Sequence, residues 1–242
     1  MVKDIMGGTE SSEETHIGKP INIESSTKST KPLSEVLKGL RNINIPTKDI
    51  NTNVNSSNGV LIVLLDTSSS MCARFETSTR IKIANEVLRL QLIPNMLDWQ
   101  YGIIKFGGMP SWYVLPTVSK NALVIDAPAI GGTAMLGGLK MAWEWIHKNN
   151  KGARIILISD GEPTDAGKQA ILETVSINNN IPIDTVGIGD AKTMYSGYDL
   201  QFLRELSRIT GGIFCEAHSV KQLADSIFKL SPVERPLLGV GK

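Results

Sequence analysis

Three segments of the sequence carry oxygen-bearing side chains at spacings that could hold a metal ion. DTSSS supplies a carboxylate at Asp66 and hydroxyls at Ser68 and Ser70, GGT supplies the hydroxyl of Thr133, and SDG supplies the carboxylate of Asp160. Neither a thiol nor an imidazole occurs in these segments, which disfavours zinc and copper. Carboxylate and hydroxyl oxygens suit a hard divalent cation, with Mg²⁺ favoured and Mn²⁺ or Ca²⁺ as alternatives.

A shell of two carboxylates and three hydroxyls is poor in negative charge, so a divalent ion bound there should seek an outside anion. An Asp or Glu side chain of a partner protein could supply one. Taken alone, DTSSS could equally be a turn that caps a helix, but three such segments in one chain favour a metal site. Glu162 and Asp165 could extend the ligand set, although we predict that they cap the helix that follows them.

The elements that must position these segments are strands alternating with helices. Short apolar runs predict buried strands over 60–65, 101–106, 153–159 and 181–188, with a possible extra strand over 112–115. Amphipathic spacing predicts helices over 80–97, 134–148, 166–177, 199–209 and 219–230. Pro94 should kink or end the first helix. Together they predict a doubly wound α/β fold, a mainly parallel sheet with helices on both faces, whose strand ends bring the three segments to one edge.

At these residues the sequence resembles the von Willebrand factor A (vWA) domain family and its metal-ion-dependent adhesion site. The family pattern is Asp-x-Ser-x-Ser after the first strand, a Thr in a glycine-led turn and Asp-Gly after the fourth strand, and DTSSS, GGT and SDG match it in order. The resemblance covers roughly residues 59–230 and implies a Rossmann-like fold. It implies that Ser68, Ser70 and Thr133 contact the metal directly, and that Asp66 and Asp160 act directly or through water.

The resemblance also implies a function, that of a binding module rather than an enzyme, which takes an acidic side chain of its partner through the metal ion. The segments FGG (106–108), WYVLPTVSKNAL and SDGEPTD look most like intracellular prokaryotic members of the tellurite-resistance and stress-response type. Such members are thought to act beside protein kinases, phosphatases or AAA+ ATPases. We therefore expect a partner in an intracellular stress or signalling complex.

Two other classes of function stay open. A Mg²⁺-dependent hydrolase or phosphotransferase could use a similar sheet, but Ser68 stands where a dehalogenase-like enzyme needs its second Asp. The phosphate-binding pattern GxxxxGK[ST] is absent, as is GxGxxG after the first strand. A metal-independent scaffold could instead bind through the segments that flank the domain.

Composition divides the chain into three parts. Residues 1–58 are rich in Ser, Thr and Asn and hold no aromatic residue, which predicts a flexible arm with one short helix over 33–41. The arm could bind a partner, accept phosphate, cover the metal site with a Glu side chain or be a passive terminus. Residues 59–230 form the predicted domain, and residues 231–242, with two prolines, form an extended tail.

The net charge and the lengths of the apolar runs argue against nucleic-acid binding and membrane insertion. With 25 Lys and Arg against 24 Asp and Glu, the net charge of +1 gives no electrostatic case for nucleic acid as a partner. The longest apolar run, 60–65, is too short to span a membrane, and the start lacks the apolar stretch of a signal peptide. We predict a cytoplasmic protein.

Two single residues carry predictions of their own. Cys72 is predicted to be buried. Trp145 is predicted to contact a partner or to pack beneath the arm helix.

Overall fold

The computed structural model of the chain describes residues 35, 59–96, 99–118, 127–149, 151–190 and 198–232. The helix predicted over 33–41 lies outside these residues apart from Glu35, which is helical. Most of the predicted arm and of the predicted tail also lie outside them. The domain boundaries at residues 58 and 230 therefore stay predictions.

A six-stranded sheet forms the centre of the described domain. Its strands are β1 (Val60–Leu65), β2 (Gln100–Lys105), β3 (Ser111–Thr117), β4 (Ala153–Ser159), β5 (Ile183–Ile188) and β6 (Phe214–Ala217). Their order in the sheet is β3-β2-β1-β4-β5-β6. Neighbouring strands are parallel except at the edge, where β3 runs antiparallel to β2. The strand order reverses around β1, as the predicted doubly wound fold requires.

In the described domain, five α-helices connect the strands and cover both faces of the sheet. They are α1 (Arg80–Val87), α2 (Met135–Asn149), α3 (Lys168–Ile177), α4 (Leu200–Ile209) and α5 (Val220–Lys229). Odd-numbered residues of β1 pack with α1 and α5, and even-numbered ones pack with α2, α3 and α4. Every residue of β1 is buried, because it lies at the centre of the sheet between two helical layers.

The first helix departs most from its predicted form. The α-helix ends at Val87 and continues as a π-helical turn over Leu88–Leu92 and a 3-10 turn over Ile93–Asn95. Pro94 lies in the last turn, where its missing N–H and its ring prevent an α-helix from continuing. The predicted disruption at Pro94 is confirmed, although the α-helical part already ends at Val87.

Trp145 lies on the face of α2 that turns towards the edge strand β3. Its ring meets that of Trp112 edge to face, with 6.3 Å between the ring centroids. Both side chains stay partly accessible. The packing partner of Trp145 in the described part of the chain is therefore a strand residue, which neither expectation for Trp145 included.

A buried ion pair closes the end of the sheet where β4 and β5 begin. The Arg154 guanidinium lies 2.5 Å from Oδ2 of Asp184, and it also donates to the carbonyl oxygen of Leu230 at the end of α5. Asp184 Oδ1 accepts a hydrogen bond from the backbone N–H of Ile213, just before β6. These contacts join two strands and the last helix at the end opposite the predicted site.

None of the helices in the described part of the chain combines the length and the apolar character needed to cross a bilayer.

Candidate metal centre

The carboxyl ends of β1 and β4 place the two predicted carboxylates on neighbouring strands. Leu65 pairs in register with Ile158, and the N–H of Asp66 donates to the Ile158 carbonyl oxygen over 2.9 Å. Asp66 follows β1 directly, and Asp160 follows β4 directly. The parallel pairing of these strands therefore brings two residues that are 94 positions apart in sequence to one edge of the sheet.

Asp66 is fully buried and anchored by two hydrogen bonds. Its Oδ1 accepts from the Ser68 N–H at 2.8 Å, and its Oδ2 accepts from the Ser159 hydroxyl at 2.6 Å. Burial raises the pKa of the Asp66 carboxyl from 3.8 to about 6, although the hydrogen bonds from Ser159 and Ser68 act in the opposite direction. A negative charge at this position is therefore costly unless a cation lies beside it.

A chain of hydrogen bonds joins Ser68, Ser70 and Asp160. The Ser70 hydroxyl donates to Oδ1 of Asp160 at 2.7 Å, and the Ser68 and Ser70 hydroxyl oxygens lie 2.8 Å apart. Since Ser70 uses its proton on Asp160, Ser68 donates to Ser70. Asp160 and Ser68 are buried, whereas Ser70 is exposed, so the chain of hydroxyls leads from the interior to solvent.

Thr133 reaches the same place from the loop before α2. That loop is tied to DTSSS because the Ser69 N–H donates to the Gly131 carbonyl oxygen over 3.0 Å. A Cβ atom at Gly161 would lie 3.5 Å from both Ser70 Oγ and Thr133 Oγ1. The two hydroxyls therefore border one space, to which Gly161 adds no side chain.

The donor set suits a hard divalent cation. Mg²⁺ is typically held by one or two carboxylates and retains several waters, and hydroxyl oxygens complete such a shell. Among the described residues, no group of three or more His, Cys, Asp or Glu side chains gathers at one place. The structure brings the five predicted residues to one edge of the sheet, and their role as metal ligands stays a prediction.

Arg80 is a site residue that the sequence analysis missed. Its guanidinium lies 2.5 Å from Oδ2 of Asp160 and is mostly buried. No local pattern links the two residues, since the contact joins the first residue of α1 to the loop after β4. Ser159 was also missed, although its position next to Asp160 in SDG was a usable signal.

Asp165 has a different role from the predicted one. Its carboxylate accepts hydrogen bonds from the N–H groups of Leu136 and Gly137, in the first turn of α2. It thus caps the helix before it in the chain and not the helix after it, because the turn after β4 folds over the start of α2. Glu162 forms an ion pair of 3.0 Å with Lys168 at the start of α3.

Apolar side chains stand at the rim of the site. Met109 is 86% exposed and follows Gly108, and Ile130 is 69% exposed and precedes Gly131. The loops that hold these two residues contact each other. The contact is tight because a Cβ at Gly131 would lie 2.9 Å from the Gly108 backbone.

Cys72 is exposed beside this rim, with its sulfur 3.9 Å from the Ala129 carbonyl oxygen, so its predicted burial is wrong. It follows the site loop on a short 3-10 turn that only Met71 anchors in the core.

A family model described as the von Willebrand factor type A domain matches residues 61–162. The match begins in β1 and ends just after Asp160, so it includes all five candidate ligands. No curated protein matches the sequence. The family model thus covers less than half of the chain, and the structural neighbours share its fold.

Solved structures of the same fold come from several organisms. A von Willebrand factor type A protein from Catenulispora acidiphila is 20% identical with a TM-score of 0.61, covering 72% of this chain and 42% of that chain. BatB from Bacteroides thetaiotaomicron is 19% identical with a TM-score of 0.54, covering 71% and 98%. The manganese-loaded TRAP protein of Plasmodium vivax is 19% identical with a TM-score of 0.53, covering 74% of each chain. This chain thus spans less than half of the Catenulispora protein, and these identities show a shared fold alone.

Proposed function

We propose that this chain is a metal-dependent protein-binding module. Asp66, Ser68, Ser70, Thr133 and Asp160 would hold the divalent cation, with Mg²⁺ favoured and Mn²⁺ or Ca²⁺ as alternatives. When bound, the ion supplies a Lewis-acidic position that the carboxylate of a partner's Asp or Glu can fill. The chain's own residues would hold the ion next to the exposed Ser70.

The observation that carries this proposal is the space in front of Gly161. Hydroxyls of Ser70 and Thr133 border it, and Ser70 opens it to solvent. Ser159 links the Gly161 N–H to the buried carboxylate of Asp66, whose charge lacks a cation partner among the contacts described above. A cation there would offset the cost of that buried charge. The TRAP protein, which has a similar fold, is manganese-loaded, and this supports the proposal that a divalent cation binds here.

The rim indicates what the partner offers beside its acidic residue. Met109 and Ile130 expose apolar side chains from loops that glycine contacts hold close together. A partner segment with an Asp or Glu next to an apolar residue would satisfy both the ion and the rim. The partner class that fits the resemblance is a kinase, phosphatase or AAA+ ATPase system in a cytoplasmic stress or signalling complex.

We propose binding rather than catalysis, because both carboxylates of the site are already engaged. Asp66 accepts from Ser68 and Ser159, and Asp160 is held by Ser70 and Arg80. Neither is therefore placed as a general base for an incoming water. Metal-dependent hydrolysis of a phosphoester by the purified chain would contradict this part of the proposal.

The metal site is tested by titrating the full chain with Mg²⁺ and with Mn²⁺ in a calorimeter. Wild type should bind one ion of either kind, and Asp66→Asn should bind neither. Ser69→Ala is the matched control, because Ser69 is exposed in the same loop and its side chain is outside the proposed ligand set. A wild-type chain that binds no divalent ion would contradict the proposal.

The ligand chemistry is tested with a random peptide library on the immobilised chain. Peptides retained in Mg²⁺ and released by EDTA should be enriched in Asp or Glu beside an apolar residue. Asp66→Asn should retain none of them, whereas Ser69→Ala should retain the same set. Enrichment that persists in EDTA, or on Asp66→Asn, would favour the metal-independent scaffold instead.

A further inference from the structure

Arg80 binds one oxygen of the Asp160 carboxylate, which the proposed metal ion would also bind. Its guanidinium binds Oδ2 of Asp160 at 2.5 Å, while Oδ1 accepts from Ser70 on the side of the proposed ion. The Asp160 side chain is fully buried and that of Arg80 is 12% exposed, so bulk water screens this pair weakly. A positive charge therefore lies just behind the cation site.

The fold makes specific room for this guanidinium. Gly189, just after β5, has a positive φ of 99°, and a Cβ there would lie 2.7 to 2.8 Å from three atoms of the Arg80 guanidinium. The contact fixes Arg80 between the end of β5 and Asp160. Its position is therefore built into the sheet edge and is not that of a surface side chain that happens to reach an acid.

The charge of the site follows from this placement. Ionised Asp66 and Asp160 with Arg80 carry a net charge of minus one, so a bound divalent ion leaves the site with plus one. Without the guanidinium the loaded site would be neutral. Arg80 thus opposes the cation and favours any anion that joins it.

We infer that Arg80 makes this centre favour an anionic ligand, such as the proposed carboxylate, by weakening its hold on the free cation and strengthening its hold on an anion once the cation is bound. This inference rests on the proposed function, since it concerns the same ion. It assigns Arg80 as a specificity-determining residue that touches neither the ion nor the partner. Its consequence is that the ion is held loosely by the free chain and firmly in the complex.

The test measures two affinities that should change in opposite directions. Mn²⁺ binding is followed by electron paramagnetic resonance, and acetate binding to the Mn²⁺-loaded chain by water-proton relaxation, with acetate replacing perchlorate at constant ionic strength. In Arg80→Gln, Mn²⁺ should bind more tightly by at least about tenfold, because removing a unit charge a few ångströms from a divalent ion has that effect in bulk water and a larger one in a buried site. Acetate should bind the loaded variant several-fold more weakly.

Two control variants isolate the charge at this position. Lys82→Gln removes the same charge from an exposed residue of the same helix and should leave both affinities unchanged. Arg80→Lys keeps the charge and should resemble wild type. If Arg80→Gln unfolds in EDTA, Mn²⁺ should restore its fold by replacing the charge beside Asp160, and a variant that stays unfolded in millimolar Mn²⁺ would overturn the inference.

Failure of the inference and failure of the proposed function give different results. Arg80→Gln that weakens both affinities, or changes neither, while wild type binds Mn²⁺, overturns the inference alone, because a purely structural role would damage both. A wild-type chain that binds no Mn²⁺ overturns the proposed function itself.

Discussion

The hydroxyl of Ser159 donates to Oδ2 of Asp66 across the neighbouring strands β4 and β1, over 2.6 Å. The same oxygen of Ser159 accepts from the N–H of Gly161 at 3.2 Å. One side chain therefore connects the buried carboxylate after β1 to the turn that carries Asp160. This link fixes the distance between the two proposed carboxylate ligands before any ion arrives.

The raised pKa of Asp66 predicts how the metal-free domain responds to pH. Burial moves this pKa from 3.8 to about 6, so the folded state favours the protonated acid. The stability that protonated Asp66 contributes to the folded state is fully present below about pH 4 and is lost as pH rises through 6. A shift of this size corresponds to about 3 kcal/mol in the free energy of unfolding. Asp66→Asn, which cannot ionise, should lack this loss.

Urea unfolding of wild type and Asp66→Asn in EDTA, between pH 4.5 and 7.5, measures the effect. The difference in unfolding free energy between the two proteins should shift in favour of the variant as pH rises. Saturating Mg²⁺ should remove the shift, because the ion binds the ionised acid. A difference that stays constant over this pH range would contradict the raised pKa.

Gly161 allows a test of the open space that does not alter any proposed ligand. Its φ is not positive, so a larger residue meets no backbone strain there. A Cβ would make ordinary contacts of 3.5 Å with Ser70 and Thr133. Gly161→Ala should therefore keep Mg²⁺ binding, whereas the branched side chain of Gly161→Val should block it. Both affinities are measured by calorimetry, and circular dichroism checks the fold.

Much of the fold was predictable because periodicity is a local signal. The apolar runs at 60–65 and 153–159 gave strands with the observed bounds, since both strands are buried on two faces and contain little else. β6 was not predicted, because Phe214–Ala217 is short, lies at the sheet edge and includes Glu216. The predicted N-cap at Ser219 is confirmed, because its side chain accepts a hydrogen bond from the N–H of Gln222. Asp199 is the N-cap of α4, one residue before its first helical residue, and accepts from the N–H of Phe202.

In the candidate site, too, local patterns could be predicted from the sequence and contacts between distant segments could not. The five oxygen donors could be found because each follows a strand or begins a helix in a short pattern. The contacts of Arg80, Thr164 and Asp165 could not be found, since each joins segments that are distant in sequence. Thr164, for example, accepts from the Thr133 N–H at 2.8 Å, and its own N–H donates to the Thr133 carbonyl oxygen. Contacts of this kind depend on how strands pair, which local spacing does not encode.

Asp165 should stabilise the start of α2 and, through it, the loop of Thr133. Its two oxygens accept from Leu136 at 3.2 Å and from Gly137 at 2.8 Å, N–H groups that have no partner within the helix. Asp165→Ala should lower the free energy of unfolding by about 1 kcal/mol. Asp165→Asn, which keeps one acceptor oxygen, should lose less. Urea unfolding compares them, and equal stability of Asp165→Ala and wild type would rule out the capping role.

The ion pair between Arg154 and Asp184 should matter for stability and leave metal binding unchanged. Asp184→Asn keeps an acceptor for the Ile213 N–H but leaves the Arg154 guanidinium, 3% exposed, without its charged partner. Breaking a buried pair in this way should cost about 3 to 5 kcal/mol in urea unfolding. Glu205→Gln, at an exposed pair with Arg208, is the control and should cause no measurable loss. Because Asp184 lies near the start of β5, a folded Asp184→Asn variant should bind Mg²⁺ as wild type does. A loss of metal affinity without a loss of stability would show that the two ends of the sheet are coupled.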